Sequence, residues 1–498
     1  MPSNRYFKLS LFMIVFSAIL RLLVIGQVGL GDDEAHYWMW SKHLDWSYFD
    51  HPPMVAWIIA FFTGIGGDRE FYVRIGAVLL FSATSFGAYY LGCLFRNEKT
   101  GFYSVLFLNV SPVFSFLGSV LMVPDSSLGT AWVFFLIFFY LAVQSPSLFR
   151  FWVLSGFAFG IAFLSKYNAV LLPFSAFLYL LSSDRNRGLL LRKEPYLALG
   201  IGLLFAVPVV LWNARHGWAS FGFQLNHGLG SDTSFSMTLF FQILGAQMAY
   251  ISPVLFILSF IALILSGIRG IAHQDDSHLF LFFFGAPTLV LFDLIGSFHK
   301  ILPHWPALGF ITAFISLAIW MEELPKLSRW KVPAVLFGLF LTLIIPIQAL
   351  TFIVPITRNF NSRIDPTNDL YGWPEAAREI TRLQKEMSSE GASFIFAHKF
   401  LISDQVGFYT GQSRGIYCFN EDKTQFDYWD DPEKLIGQNA ILISDNRYEI
   451  DPEQIFGKMF QRIDKLPPLR IYRKGELIRV FYFFKCYGFK GLKIRSVS

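Results

Sequence analysis

The chain has 498 residues, of which 54% are hydrophobic and 15% are charged. Globular domains usually carry about 25% charged residues, so this composition excludes an ordinary soluble protein and predicts many membrane spans. The formal net charge of +5 is spread over short connecting segments, and we therefore predict no nucleic-acid partner.

Apolar runs recur through the first 355 residues, and a membrane span needs about 20 such residues. The first run, Leu9 to Val28, resembles a signal-peptide core but lacks a small-residue cleavage site, so we interpret it as an uncleaved anchor. Met54 to Ile65 is too short to span and is expected to lie in the interface. With the first run, about eleven spans are predicted, the others being 71–92, 101–121, 127–144, 150–165, 167–182, 196–212, 238–266, 279–298, 302–320 and 332–355.

The distribution of Lys and Arg predicts the orientation, because cytoplasmic loops carry more of these residues than the opposite loops. With the N-terminus in the cytoplasm, the connecting segments on that side carry thirteen Lys and Arg and those on the other side carry five. The five are Lys42, Arg69, Lys166, Arg215 and Lys300. Residues 31–50, Asp125 and everything after residue 355 are therefore predicted to lie outside the cytoplasm.

The first outer segment, Gly31 to Asp50, reads GDDEAHYWMWSKHLDWSYFD and concentrates acidic and aromatic residues. Asp33 and Glu34 follow the first span by a few residues. A carboxylate that is partly desolvated by Tyr37 and the nearby tryptophans can have a raised pKa and act as a general base. A solvated acidic turn is the ordinary alternative, and the neighbouring rings favour a functional role.

Asp50-His51-Pro52-Pro53 ends this segment. The two prolines fix the backbone and remove two amide donors, so the acid and the imidazole are held rigidly. His51 can donate to a phosphate, or bind a metal ion together with Asp50. A simple turn into a helix with prolines in its first turn explains the pattern equally well.

Several further polar residues lie within or beside the apolar runs. Asp125 precedes a helix, where capping is the usual role, although a capping carboxylate still presents an oxygen to the outer face. Lys166 reads either as a snorkelling lysine or as a basic group for a lipid phosphate. Arg74 and Arg21 would be costly against lipid and are expected to face the bundle interior. His304 is either a cavity residue or an interfacial anchor.

Charges become frequent from about residue 356, which predicts a transmembrane domain over 1–355 and a soluble α/β domain over 356–498. Pro374 to Glu390 has helical apolar spacing, with Pro at its start and Gly391 after its end. The strands are predicted from short apolar runs at Ser393–Ala397, Gly415–Phe419, Ala440–Ile443 and Arg479–Phe484.

The three cysteines have no paired spacing that would predict a metal site. Cys418 and Cys486 can form a disulfide if their domain lies outside the cytoplasm. Free buried thiols are the simpler expectation.

The order of the motifs resembles that of a known family. The chain has Asp-Asp-Glu-Ala-x-Tyr after the first span, then an acidic residue, a basic residue and Pro-Pro, and Pro-Asp-Ser after the third span. This order resembles the bacterial relatives of the protein O-mannosyltransferases, above all the aminoarabinose transferases that modify lipid A. Leu164-Ser165-Lys166 resembles their Leu-Thr-Lys segment, and Leu370-Tyr371-Gly372-Trp373 resembles the segment that opens their outer domain.

The resemblance implies the GT-C fold, a polytopic α-helical membrane protein with about 11 transmembrane helices and a C-terminal soluble α/β domain. It also implies an inverting glycosyltransferase at the periplasmic side of the bacterial inner membrane, with a sugar on polyprenyl (undecaprenyl) phosphate as donor. The implied acceptor is lipid A, lipopolysaccharide or another cell-envelope glycolipid. A protein acceptor is the first alternative and a lipid-linked sugar transporter or flippase the second. The sequence has no two similar halves, which favours an enzyme.

The same resemblance implies the site residues. Asp33, Asp50 and Asp125 match the acidic positions of the family and are expected to be catalytic. The expected substrate-binding residues are Glu34, His36, Tyr37, His51, Arg74 and Lys166. His36 and His51 stand where relatives have Arg and Lys, which gives Lys166 or Arg74 more of the phosphate binding. The motifs demand no cofactor, and a divalent metal ion held by Asp50 and His51 is the alternative.

Overall fold

The structure is a computed structural model that describes residues 5–229, 234–355, 364–429 and 431–492. Within these ranges, helices dominate the first 355 residues. Their bounds are α1 (Arg5–Val24), α2 (Asp32–Lys42), α3 (Met54–Gly66), α4 (Glu70–Phe95), α5 (Glu98–Val110), α6 (Pro124–Gln144), α7 (Phe149–Ser165), α8 (Leu171–Ser182), α9 (Lys193–Arg215), α10 (Ala219–Leu229), α11 (Met237–Ile251), α12 (Pro253–His273), α13 (Asp276–Gly296), α14 (Gly309–Glu323), α15 (Pro325–Ser328) and α16 (Lys331–Thr351).

Seven helical stretches of the described chain are long and apolar enough to cross a membrane. They are Arg5–Val24, Glu70–Phe95, Pro124–Gln144, Lys193–Arg215, Pro253–His273, Asp276–Gly296 and Pro325–Thr351. Four shorter apolar helices accompany them, at Met54–Gly66, Phe149–Ser165, Tyr167–Ser182 and Met237–Ile251. The chain is thus a multi-span membrane protein, and the number of crossings stays a prediction.

Three of the predicted spans have other bounds in the structure. The run 238–266 is two helices, α11 and α12, because Ser252 has φ 92° and stands before Pro253, where a helical conformation is disfavoured. The run 101–121 contains α5 and, after Pro112, one π-helical turn. The run 302–320 becomes helical as α14 only at Gly309, after two prolines.

The chain divides into two compact units. The first, here called the helical unit, comprises Met1–Val24, Trp46–Val55 and Arg74–Ile344. The second, here called the mixed unit, comprises Ile25–Asp45, Ala56–Val73 and Ile345–Ser498. The mixed unit therefore includes two early segments as well as the C-terminal region. The predicted domain boundary at residues 355 and 356 adjoins residues 356–363, which lie outside the described ranges, and it stays a prediction.

In the helical unit, α6 packs against α7, α7 against α9, and α13 against α12 and α14. Both arginines that were predicted to face the interior do so. Arg74 is fully buried, and Arg21 donates to the Ser119 and Ser115 hydroxyls at 2.9 and 3.2 Å. Arg21 also lies over the Phe81 ring. An arginine in an apolar helix needs such partners, because lipid offers none.

The C-terminal part of the mixed unit is an α/β fold, as predicted. Its elements are α17 (Trp373–Met387), β1 (Ser393–Ala397), α18 (Phe400–Thr410), β2 (Ile416–Cys418), β3 (Asn439–Asp445), α19 (Pro452–Phe456), β4 (Arg462–Lys465), β5 (Leu469–Arg473) and β6 (Glu476–Tyr487). The sheet order is β2-β1-β3-β6-β4, with β5 also paired to β6. β1 is parallel to β2 and β3, and the pairs made by β6 are antiparallel.

The four predicted strands and the predicted helix are confirmed, with end shifts of a few residues. The helix is α17 followed by a short 3-10 turn, Ser388–Glu390. Cys418 and Cys486 are buried free thiols, as the simpler expectation had it. Burial raises the pKa of the Cys486 thiol, which lowers its reactivity further.

Arg473, at the end of β5, is buried and ties the sheet to the last turn of α16. Its guanidinium donates to the carbonyl oxygens of Gln348 and Ala349 and lies over the rings of Phe352 and Tyr371. The last carbonyl groups of a helix lack partners within the helix, so a buried cation satisfies them well.

Candidate active site

In the helical unit, Lys166 and Asp125 form a direct ion pair. Lys166 directly follows α7 as its C-cap, and Asp125 lies in the first turn of α6, which packs against α7. The Lys166 Nζ atom is 2.8 and 3.0 Å from the two Asp125 carboxylate oxygens. Lys166 is only 6% exposed, so the snorkelling interpretation is wrong for this residue. Its ammonium group turns inward because Asp125 provides the opposite charge.

The expected capping role of Asp125 is also wrong. Val123 is the N-cap of α6, Pro124 occupies the first helical position, and Asp125 follows it. A proline suits that position because its missing amide hydrogen is not needed there. The negative charge still lies near the positive end of the helix dipole. Both carboxylate oxygens of Asp125 accept hydrogen bonds from Lys166 instead of capping the α6 backbone.

Two histidines lie close to this pair. The His304 Nε2 atom is 3.9 Å from an Asp125 oxygen, and His51 interacts electrostatically with Asp125. Burial lowers the pKa of His304 to about 4, even though Asp125 acts in the opposite direction. His304 is therefore neutral at pH 7 and can serve as a hydrogen-bonding group rather than as a cation.

Asp50 belongs to the same unit. Its carbonyl oxygen accepts a hydrogen bond of 2.5 Å from the Gln224 side chain, and Asp50 interacts electrostatically with Tyr167. The Tyr167 hydroxyl is 2.6 Å from the Ser220 hydroxyl and 3.5 Å from that of Ser47. Tyr167 directly follows Lys166 in the chain, and its hydroxyl links the segment after α7 to Ser47 and Ser220.

The donor set does not fit a metal ion. Among the residues that the structure describes, no three His, Cys, Asp or Glu side chains are grouped so that they could hold one. Asp50 and His51 alone are fewer ligands than most protein metal sites provide. We therefore assign no step of the chemistry to a metal.

The mixed unit contains the acidic motif that follows the first span. Residues 32–42 form α2, a helix with three acids in its first turn, where the helix dipole favours negative charge. The Glu34 carboxylate is fully buried and accepts a 2.9 Å hydrogen bond from the Gly31 amide. Asp33 is exposed, whereas Tyr37 is buried in the helix behind it. The desolvation that we expected for Asp33 is therefore wrong, because Asp33 projects from the first turn.

His36 lies in the middle of α2 and is buried. Its Nδ1 atom is 2.7 Å from a carboxylate oxygen of Asp404 in α18. The rings of Trp40 and Phe400 lie 4.8 Å from the imidazole ring. His36 thus contacts the C-terminal part of its own unit, a contact that the sequence did not predict.

Asp404 and Gln405 carry no sequence signal that predicts them, whereas His304 was one of two alternatives, a cavity residue or an interfacial anchor. Asp404 and Gln405 are fully buried polar residues within α18. A buried acid in a short helix between two strands carries no motif, and only its burial shows that it has a partner.

Residues 50–212 match the family model described as dolichyl-phosphate-mannose-protein mannosyltransferase. The matched segment includes Asp50, His51, Arg74, Asp125 and Lys166, whereas Asp33 precedes it. The lipid A galacturonosyltransferase RgtD of Rhizobium johnstonii is 25% identical to the chain over 304 residues. That match covers 58% of this chain and 60% of the length of the relative.

The solved structure of ArnT from Cupriavidus metallidurans, bound to undecaprenyl phosphate, has the same fold. It is 16% identical, with a TM-score of 0.64 over 95% of this chain and 97% of that one. Together these likenesses support the predicted resemblance to the GT-C glycosyltransferases of the ArnT/PMT superfamily. The predicted fold is confirmed.

The GT-C fold extends to a more distant protein. The oligosaccharyltransferase of Archaeoglobus fulgidus is 13% identical, with a TM-score of 0.55 over 89% of this chain and 70% of that one. A fold shared at such low identity shows the architecture alone. The functional assignment therefore depends on the residues of the site, and the roles predicted for them stay predictions.

Proposed function

We propose that this GT-C protein is an inverting glycosyltransferase that takes a sugar from a polyprenyl phosphate donor at the periplasmic face of the bacterial inner membrane. The acceptor that we propose is lipid A or the surrounding lipopolysaccharide. The name of RgtD supports this acceptor and suggests galacturonic acid as the first sugar to test. The ArnT structure with bound undecaprenyl phosphate supports the donor class.

The Asp125–Lys166 pair is the observation that carries the proposal. An ammonium group has three donor hydrogens, and Asp125 fixes its position while one donor remains available for a phosphate oxygen. Neutral His304, whose Nε2 atom is 3.9 Å from an Asp125 oxygen, adds an uncharged hydrogen-bonding group nearby. Such an arrangement, fixed before the reaction, stabilises the charge that develops on a departing polyprenyl phosphate.

In the proposed reaction, an acceptor oxygen attacks the anomeric carbon of the donor sugar from the face opposite the phosphate. The new carbon–oxygen bond forms while the bond to the phosphate oxygen breaks, and that oxygen keeps the electron pair. We assign stabilisation of the phosphate to Lys166 and His51. Asp33, which is exposed at the start of α2, accepts the proton of an acceptor hydroxyl or orients the acceptor if it is itself a phosphate.

A protein acceptor is the second candidate. It keeps the same donor and chemistry, and the family model that matches residues 50–212 favours it by its description. The transporter alternative is disfavoured by the match to a mannosyltransferase family model. It is also disfavoured by the position of the Asp125–Lys166 pair at the start of α6.

The test is a transfer assay with the purified chain in lipid, using undecaprenyl phosphate galacturonic acid as donor and lipid A as acceptor. We expect transfer with inversion in the wild type and a loss of at least about 100-fold in Asp33→Asn and Asp125→Asn. Mass spectrometry of lipid A and of periplasmic proteins from a deletion strain identifies the natural acceptor. Full turnover by both variants would remove the catalytic assignment, and a modified protein with unchanged lipid A would select the second candidate.

A further inference from the structure

The acidic helix α2 is held by one helix of the C-terminal region, α18, which is part of the same mixed unit. The two helices lie about 370 residues apart in the sequence. α2 has only 11 residues, and an isolated helix shorter than about 12–15 residues is marginally stable in water. Its conformation therefore depends on what it packs against.

Four neighbouring side chains of α18 make this contact: Asp404, Gln405, Phe408 and Tyr409. Residues four apart in a helix share one face, so Asp404 with Phe408 and Gln405 with Tyr409 form a continuous surface. Gly407 lies within this surface, and a Cβ atom there would overlap the end of the Met39 side chain. The glycine thus permits the close approach of α2.

The hydrogen bonds are concentrated at the N-terminal end of α2. The Gln405 Nε2 atom donates to the Leu30 carbonyl oxygen at 2.9 Å and to an Asp32 carboxylate oxygen at 3.0 Å. The Tyr409 hydroxyl accepts from the Leu30 amide at 2.9 Å and is 3.1 Å from a Glu70 carboxylate oxygen. These bonds fix the residues immediately before and within the first turn, where Asp33 is located.

The contact made by Asp404 reaches the middle of α2, at His36. The Nδ1 atom of His36 and a carboxylate oxygen of Asp404 share a 2.7 Å hydrogen bond, in which an ionised Asp404 accepts from the Nδ1–H of His36. Asp404 is fully buried, and α18 packs against β1 and β2 as well as against α2. The packing of α18 as a whole thereby couples the orientation of His36 to the sheet.

We propose that Asp404 and Gln405 are positioning residues for the transfer reaction: they set the position of Asp33 through Asp32 and the orientation of the His36 imidazole. The inference rests on the proposed function, because Asp33 and His36 are predicted to act in it. Neither Asp404 nor Gln405 needs to touch a substrate. The C-terminal region thus determines the rate of the reaction although it carries none of the predicted site residues.

The test compares Asp404→Asn and Gln405→Ala with Ser403→Ala in the full-length protein. Ser403→Ala is the matched control, since it removes a hydrogen bond that α18 makes with β2 and not with α2. A displacement of about 1 Å in an active site can cost about 100-fold in rate. We expect kcat to fall at least about tenfold in Asp404→Asn and Gln405→Ala, with the donor KM within about twofold, and to stay unchanged in Ser403→Ala.

Hydrogen exchange of residues 31–42 provides a readout that does not depend on activity. We expect faster exchange there in Gln405→Ala and not in Ser403→Ala. A double-mutant cycle gives a second readout: Asp404→Asn should cost little once His36 is replaced by Gln, because it acts through His36.

The outcomes separate this inference from the proposed function. If the wild type transfers sugar and Asp33→Asn does not, but Asp404→Asn and Gln405→Ala behave like Ser403→Ala, the inference is overturned and the function stands. Faster exchange without a loss of kcat would overturn it as well. If the wild type transfers no sugar from any polyprenyl phosphate donor, the proposed function fails, and hydrogen exchange still reports whether α18 holds α2.

Discussion

The two candidate regions hold their acidic residues in different ways. In the helical unit, Asp125 is paired with Lys166, a residue 41 positions away on the neighbouring helix. In the mixed unit, α2 is held by neutral and charged partners about 370 positions away, and Asp33 is left exposed. A buried lysine that is held in place to bind a phosphate, as proposed for Lys166, needs an opposite charge such as Asp125 beside it. A carboxylate that exchanges a proton with an acceptor needs an accessible position on a fixed support.

The comparison predicts its largest effect at Lys166. Replacing Lys166 with Met removes the cation and leaves the Asp125 carboxylate unpaired in a largely buried position. We expect kcat/KM to fall by more than about 100-fold and the free energy of unfolding to fall by about 3–5 kcal/mol. Transfer assays and thermal unfolding in detergent measure the two quantities.

The control for this prediction replaces both members of the pair, with Asp125→Leu added to Lys166→Met. An apolar pair of similar volume usually restores stability. We expect most of the lost stability to return while the activity stays lost. Recovery of activity in the double variant would show that the pair is structural only, and the contrast between the two regions would disappear.

A second large effect is expected in the mixed unit, at Arg479. Its guanidinium donates to a buried Asp445 oxygen at 2.7 and 2.9 Å and lies over the Trp373 ring. Arg479→Ala leaves Asp445 buried without this partner and should lower the unfolding free energy of the mixed unit by about 3–5 kcal/mol. Hydrogen exchange of β3 and β6 measures the change.

The matched control is Arg382→Ala, which removes the exposed ion pairs of α17 with Glu379 and Glu386. Exposed pairs contribute little, so exchange in the same strands should not change. Equal effects of the two substitutions would mean that burial does not decide the strength of these pairs.

The smallest predicted effect concerns pH. Burial raises the pKa of Asp369 to about 6, with Arg447 opposing and Asp32 of α2 reinforcing the shift. The folded state thus binds this proton more tightly than the unfolded state, whose pKa is near 3.8. The contribution to stability is present below about pH 4 and is lost as the pH rises through 6.

Asp369→Asn should remove this dependence. Relative to the variant, the wild type should lose about 2 kcal/mol of unfolding free energy between pH 4 and pH 7. Burial also lowers the pKa of His398 to about 4, which gives a dependence of the opposite sign in the same window. The difference between wild type and variant at each pH isolates Asp369, and parallel curves would contradict the assignment.

The parts of the fold that were predicted from sequence are those with a local pattern of apolar and polar residues. Four of the six strands of the C-terminal region, together with α17, have apolar runs of the right period, bounded by glycine and polar turns. The count of basic residues predicts that Lys166 and Asp125 lie on the same face, but it did not predict the ion pair between them. The Ser252 break was missed because an apolar run with one proline also fits a single long helix.

The partners of α2 could not be predicted in this way. α18 itself has no clear amphipathic period, because buried Asp404 and Gln405 interrupt its apolar residues. Which distant acid forms a hydrogen bond with His36 is decided only when the sheet and the two helices assemble. Hydrogen bonds between segments so far apart leave no spacing in one sequence.

Arg473 has a consequence for attempts to isolate the C-terminal region. A fragment that begins at about residue 356, where charged residues become frequent, would lack Gln348 and Ala349. The buried Arg473 guanidinium would then lose the two carbonyl oxygens that accept its hydrogen bonds. The fragment would also omit α2 and expose the polar surface of α18. We expect such a fragment to aggregate. A full-length protein with a protease site inserted in a surface loop would keep α2 and the end of α16, and so preserve the contacts of Arg473 and α18.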